Sequence, residues 1–261
     1  MKITTEPVEI AGVRCLVAAP AQKSATGRFP AIVAYSDIFQ LTPPHVRIVQ
    51  RLAGHGFVVV APEIYTRIEP AGTVLDFEKD RDRALADAER VVLADLDRDV
   101  RAVVAAVAQR SDVEPTKIGA IGWCFGGHVA FRAAMLPEIR ATACCYATGV
   151  HSGELGASRD AGSLERAREI HGELLLVWGR NDPHIPAEGR ARIHRQLDEA
   201  GVRFEARLYD AEHTFMRDEG ARYDAEAADR AFGAVLERWG VKMPASFLEL
   251  RLGALPDALQ G

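Results

Sequence analysis

Short apolar, β-branched runs recur along this chain with amphipathic stretches between them, and that alternation constrains the fold more than any other feature. VRCLVAA (13–19), PAIVAYS (30–36), GFVVVAPEIY (56–65), KIGAIG (117–122), ATACCYA (141–147), LLLVWG (174–179) and VRFEARLY (202–209) read as strands. Helical spacing of apolar residues marks 45–55, one or two helices within 76–110, one from about Gly127, one through 187–199 and a last one over roughly 221–239. Continuous apolar strands separated by helices predict an α/β fold: a mostly parallel sheet covered by helices on both faces. Residues 148–172 read as loop and then a brief helix, suited to the rim of a cleft. No internal repeat or low-complexity block interrupts the pattern. The whole chain, 1–261, therefore reads as a single domain, with a C-terminal extension from about residue 242.

Bulk properties narrow the partners. Forty-eight per cent hydrophobic residues supply a buried core, and a formal net charge of −5 provides no basic stripe for a nucleic-acid backbone. The amino terminus lacks a basic segment followed by an apolar run, and no stretch reaches 18 uncharged apolar residues. The expectation is a cytoplasmic protein with a small-molecule partner, no nucleic acid and no membrane. Four cysteines, Cys15, Cys124, Cys144 and Cys145, form no C-x-x-C pair, so neither zinc nor dithiol chemistry is expected. Cys144 and Cys145 are adjacent on a strand, point to opposite faces and do not read as a disulfide.

The strand at 117–122 runs straight into Gly122-Trp123-Cys124-Phe125-Gly126-Gly127, a nucleophile elbow with cysteine at its centre. A nucleophile must stand clear of the sheet on a sharp turn, and the flanking glycines let neighbouring backbone pass closely. The following helix aims its positive end at the site, favouring a thiolate and a developing oxyanion, and the Phe125 N–H is one oxyanion donor. In the α/β-hydrolase fold the acid and the histidine follow in that order. Asp182 lies after the strand 174–179, and His213 after the strand 202–209. His213 takes the thiol proton, and Asp182 holds its tautomer. Each residue has a plainer reading. Asp182 before a proline also suits a helix cap, His213 a hydrogen-bonded loop, and Asp210 and Asp218 compete for the acid's role. Of the other histidines, only His184 sits close enough to Asp182 to be a rim residue. Arrival of all three residues at strand ends, in the expected order, favours the triad.

With these residues in place, the chain resembles the dienelactone hydrolase (carboxymethylenebutenolidase) family from about Val8 to Trp239. The likeness rests on Gly122 to Gly127, Tyr35-Ser36-Asp37-Ile38-Phe39, Ala61-Pro62-Glu63-Ile64-Tyr65 and His213-Thr214-Phe215-Met216-Arg217. The resemblance implies a cofactor-free, metal-free hydrolase that works through an acyl-enzyme. It also implies a second oxyanion donor in the Ile38 N–H and an anion pocket made by Arg217 and an arginine at 81–83. Arg83 is preferred there, with Arg81 the alternative. Both lie in the charge-dense run FEKDRDRALAD, which also suits a solvated helix face, and Arg217 could pair with Asp218 or Glu219 instead. Two departures stand out. Asp37 occupies the place of a family glutamate that helps set the thiol's protonation, so it is the expected accessory acid, one methylene shorter. The stretch Ala84 to Arg90 lacks the prototype's aromatic residues, which leaves Trp123, Phe39 and Tyr146 to line the cleft.

The reading is a cysteine-dependent hydrolase of a small lactone or ester, possessing a Cys124–His213–Asp182 triad. The competing reading is a non-catalytic relative that binds a small ligand or a protein. A thioesterase or peptidase stands further off, because no large lid is visible.

Overall fold

The computed structural model describes residues 1–22, 24 and 27–240. Among the described residues there are eight strands: β1 (Ile3–Ile10), β2 (Val13–Pro20), β3 (Phe29–Tyr35), β4 (Val58–Pro62), β5 (Val113–Trp123), β6 (Ile139–Cys145), β7 (Glu173–Gly179) and β8 (Phe204–Tyr209). They form one sheet in the order β1-β2-β4-β3-β5-β6-β7-β8. β1 and β2 pair antiparallel, as do β2 and β4, and every pairing from β4 across to β8 is parallel.

The apolar runs explain this order. All five residues of β4 and the last six of β5 are buried, which requires cover on both faces of the sheet. Six helices are described: α1 (Pro43–Gly54), α2 (Arg81–Arg90), α3 (Leu93–Ala108), α4 (Phe125–Ala133), α5 (Ala187–Glu199) and α6 (Ala225–Arg238). In α3, Leu96, Val100, Val103, Val104 and Val107 fall on one buried stripe. Each such side chain contributes roughly 1.5–3 kcal/mol when removed from water. Buried residues from every layer join one continuous core, in keeping with the single domain read from the sequence.

The sequence-based elements are recovered, with shifts at their ends. The stretch 76–110 divides into α2 and α3 because Val91 and Val92 are extended, with ψ of 115° and 122°. Residues 148–172 are loop and turn with one short 3-10 helix at Ala167–Glu169. β1 was not expected from the sequence. Its residues ITTEPVEI are mostly exposed, so it carries no apolar run. Pro7 lies within it, a residue that an edge strand tolerates. The extension expected from about residue 242 lies outside the described residues. Among the described residues, no helix is long and apolar enough to cross a membrane.

Candidate active site

The carboxyl ends of the parallel strands converge on one cleft of about 610 Å³. β3 delivers Asp37 and Ile38, β5 delivers Cys124, β6 delivers Thr148, β7 leads to Asp182, and β8 leads to His213.

Cys124 has φ 56° and ψ −120°, a conformation that side-chain-bearing residues seldom adopt, and α4 begins at the next residue. The turn is possible because its neighbours are glycine. A Cβ on Gly122 would stand 1.9 Å from the Gly126 carbonyl oxygen, and one on Gly126 would stand 2.2 Å from the carbonyl oxygens of Tyr35 and Ser36. The turn is tied to the sheet by the Cys124 N–H, which donates to Cys145 O at 3.0 Å, and by the Thr148 N–H, which donates to Cys124 O at 3.2 Å. Cys124 is partly exposed, whereas Cys15, Cys144 and Cys145 are buried. Burial pushes the Cys15 thiol up to about 12 and raises the other two as well, so these three stay protonated.

His213 Nδ1 lies 2.7 Å from Asp182 Oδ2, and the two side chains are only 5% and 1% exposed. The other carboxylate oxygen of Asp182 accepts the His184 N–H at 2.8 Å. Burial alone would lower His213. The charge of a Cys124 thiolate, hydrogen bonds to Asp182 and Cys124, and the Asp182 charge outweigh it and carry the imidazole up to about 10. His213 therefore lies between Asp182 and Cys124, a geometry in which a proton can pass between sulfur and imidazole.

Neither the Ile38 N–H nor the Phe125 N–H donates to an acceptor among the described residues, and both residues line the cleft beside Cys124.

Arg81 lines the cleft and has no ion-pair partner among the described residues. The preference for Arg83 is corrected: its guanidinium grips Glu69 in a two-pronged bond of 2.9 and 2.6 Å, away from the cleft. The cause is helix phase. Arg81, Leu85, Ala88 and Glu89 share one face of α2, and residue 83 is turned about 200° from residue 81. Arg217 lines the cleft with its guanidinium 3.8 Å over the Phe77 ring, 5.8 Å from that of Phe39 and 3.7 Å from Asp37 Oδ2. Asp218 and Glu219 do not capture it by their carboxylates, since both pair with Arg47.

Asp37 lines the cleft but forms no hydrogen bond to the Cys124 sulfur. Its Oδ1 accepts the Phe39 N–H at 2.9 Å, and its Oδ2 faces Arg217. Burial raises its carboxyl, opposed by that N–H and by the charges of Arg217 and His213. Trp123 and Tyr146 are also corrected as lining residues, because neither borders the cleft. Trp123 is buried and meets His45 of α1 edge-on at 5.0 Å. Tyr146, also buried, packs edge-on against His213 at 5.2 Å and so braces the imidazole from within the core. Phe39 does line the cleft, and so does His184, whose ring lies edge-on to His213 at 4.6 Å. Burial and the charge of His213 lower His184. Sequence reasoning missed Thr148, with Oγ1 3.9 Å from the Cys124 sulfur. Its one sequence signal was position, just past a strand of the parallel sheet. Among the described residues, no group of three or more His, Cys, Asp or Glu is placed to hold a metal ion.

The model of the dienelactone hydrolase family matches residues 13–240. The chain belongs to the dienelactone hydrolase family. It is 30% identical to a carboxymethylenebutenolidase of Pseudomonas sp. strain P51, over 83% of this chain and 86% of that protein. It is 32% identical to a Saccharomyces cerevisiae protein provisionally given the same name, over 83% of this chain and 81% of the relative. Among solved structures, a dienelactone hydrolase-like promiscuous phosphotriesterase, P91, from metagenomic libraries superposes with a TM-score of 0.75 at 21% identity, covering 92% of this chain and 98% of that one. This dienelactone hydrolase relative accordingly has the α/β-hydrolase fold, and its family is one of lactone and ester hydrolases.

Proposed function

We propose that this family member hydrolyses small, carboxylate-bearing lactones or esters through a Cys124 acyl-enzyme. The observation that carries the proposal is the buried 2.7 Å bond between His213 and Asp182, with the imidazole raised to about 10 beside Cys124. A general base held next to a thiol activates it as a nucleophile.

The Cys124 thiolate attacks the carbonyl carbon, and the carbonyl electron pair moves to oxygen, which receives the N–H groups of Ile38 and Phe125. When the carbon–oxygen bond breaks, His213 delivers its Nε2 proton to the leaving alkoxide and Asp182 keeps the ring in position. The neutral imidazole then takes a proton from water, the hydroxide attacks the thioester, and the thiolate departs beside the renewed imidazolium. An enolate or another stabilised alkoxide is the leaving group best suited to a thiolate nucleophile. Arg81 and Arg217 bind the substrate carboxylate, with Asp37 and Phe77 fixing the guanidinium of Arg217.

The test is a panel of paired lactones and esters, with and without a carboxylate, assayed on native enzyme and on Cys124→Ala, Arg81→Ala and Arg217→Ala. Native enzyme favours the acids, and Cys124→Ala hydrolyses none. Each arginine variant raises KM for the acids about tenfold and leaves the neutral partners nearly unchanged. Equal losses on acids and neutral esters would contradict the anion pocket.

A further inference from the structure

We infer that the Thr148 hydroxyl is the hydrogen-bond donor that holds the Cys124 sulfur, and that His128, fixed in one tautomer, positions Thr148. The inference rests on reading Cys124 as the nucleophile.

Thr148 is tied to the elbow twice. Its N–H donates to the Cys124 carbonyl at 3.2 Å, and its Oγ1 lies 3.9 Å from the sulfur, within the range of an O–H···S contact. The hydroxyl has no other partner among the described residues. Asp37, the acid that also lines the cleft, is occupied by Phe39 and Arg217. Apart from His213, Thr148 is therefore the side chain that bonds the sulfur. A hydroxyl must donate when its partner is a thiolate, and donation favours the charged form.

The tautomer follows from a chain of one-way bonds behind Thr148. Arg132 has donors only. Its Nη1 lies 2.9 Å from Ser163 Oγ, so that oxygen accepts, and the guanidinium is anchored by Asp97 at 2.7 Å and by Ala161 O at 2.8 Å. Ser163 has one hydrogen left, and His128 Nε2 lies 2.8 Å away to receive it. A carbonyl oxygen only accepts, so Nδ1 carries the proton of the neutral ring and donates it to Thr148 O at 3.1 Å, which leaves Nε2 bare to accept the Ser163 hydroxyl. Burial and the Arg132 charge push His128 down to about 3, so the ring remains neutral. Arg132 and Ser163 thus fix the far side of the ring, and the Thr148 carbonyl is held from beneath by Nδ1–H.

The experiment alkylates Cys124 with iodoacetamide across pH on native protein, Thr148→Val and Thr148→Ser, with the labelled site read by mass spectrometry and hydrolysis followed in parallel. Valine keeps the shape of threonine without its hydroxyl, whereas serine keeps the hydroxyl. Thr148→Val is expected to slow alkylation at neutral pH about tenfold and to displace the acid limb of the profile upward by about one pH unit, with Thr148→Ser within about twofold of native. In hydrolysis, kcat falls and KM holds. Nitrogen NMR of native protein should show His128 protonated at Nδ1 and not titrating through neutral pH. Native alkylation in Thr148→Val, equal losses in the valine and serine variants, or an Nε2–H tautomer at His128 would overturn the inference. Failure of the nucleophile reading is separable, because hydrolysis would then survive alkylation of Cys124 while the Thr148 contact is scored on alkylation alone.

Discussion

Replacing Cys124 with alanine is expected to abolish hydrolysis of every substrate, a loss on the order of 10⁴-fold or more in kcat/KM. Alanine keeps the Cβ that already occupies φ 56° at this position, so no strain is added to the elbow. The glycines that let Tyr35, Ser36 and Gly126 backbone approach are untouched. The fold therefore stays and the sulfur alone is removed. The same variant has a second readout in His213. Burial lowers this imidazole, and the charge and hydrogen bond of Cys124 are two of the four effects that carry it from 6.5 to about 10. Without the sulfur, its titration midpoint falls. Because the native midpoint lies above the ordinary value, protonated His213 contributes stability that is fully present below about pH 6.5 and lost as pH rises through about 10. Hydrolysis by native enzyme should decline over the same alkaline limb, as the proton needed by the leaving group is lost. An unchanged His213 midpoint in Cys124→Ala would contradict the ion pair.

Asp182→Asn should cost about 10³-fold in kcat with little change in fold. One carboxylate oxygen of Asp182 accepts the His184 N–H at 2.8 Å, and the other faces His213 Nδ1 at 2.7 Å. An asparagine must keep its carbonyl oxygen toward the His184 N–H, because its amide nitrogen cannot accept there. The NH₂ group is then directed at His213 Nδ1, which favours the tautomer with the proton on Nε2 and opposes the imidazolium. Kinetic assay on an activated ester, with circular dichroism to confirm the fold, reads the effect. Near-native kcat would show that Asp182 serves only as the loop's cap.

The parts legible in the sequence were those with a strong local signature. Continuous apolar runs marked the central strands such as β4 and β7, because strands buried on both faces have nowhere to place polar residues, whereas β8, partly exposed at the sheet edge, has no such run. The elbow was legible because a close backbone approach demands glycine, and the pairing of Asp182 with His213 was legible because chain order restricts where partners can sit. β1 escaped because an exposed edge strand needs no apolar run. The pocket arginine was misread for want of helix phase. Arg81 and Arg83 are indistinguishable in a charged run until α2 fixes which faces the cleft and which meets Glu69. Trp123 is adjacent to Cys124 in sequence and Tyr146 lies two residues before Thr148, yet their side chains turn into the core, Trp123 toward His45 and Tyr146 beneath His213. Asp37 and Thr148 show the same limit in reverse. An acid beside the elbow drew notice although its bonds go to Phe39 and Arg217, whereas a threonine without motif or charge reaches the sulfur.

The most direct test of the Cys124 account is capture of the acyl-enzyme. Native protein is mixed with an activated ester, quenched in acid within the first turnover and digested for mass spectrometry. The account predicts the acyl group on Cys124, at a stoichiometry approaching one per chain, and none anywhere on Cys124→Ala. Turnover without acylation of Cys124, or an acyl group on another side chain, would contradict it.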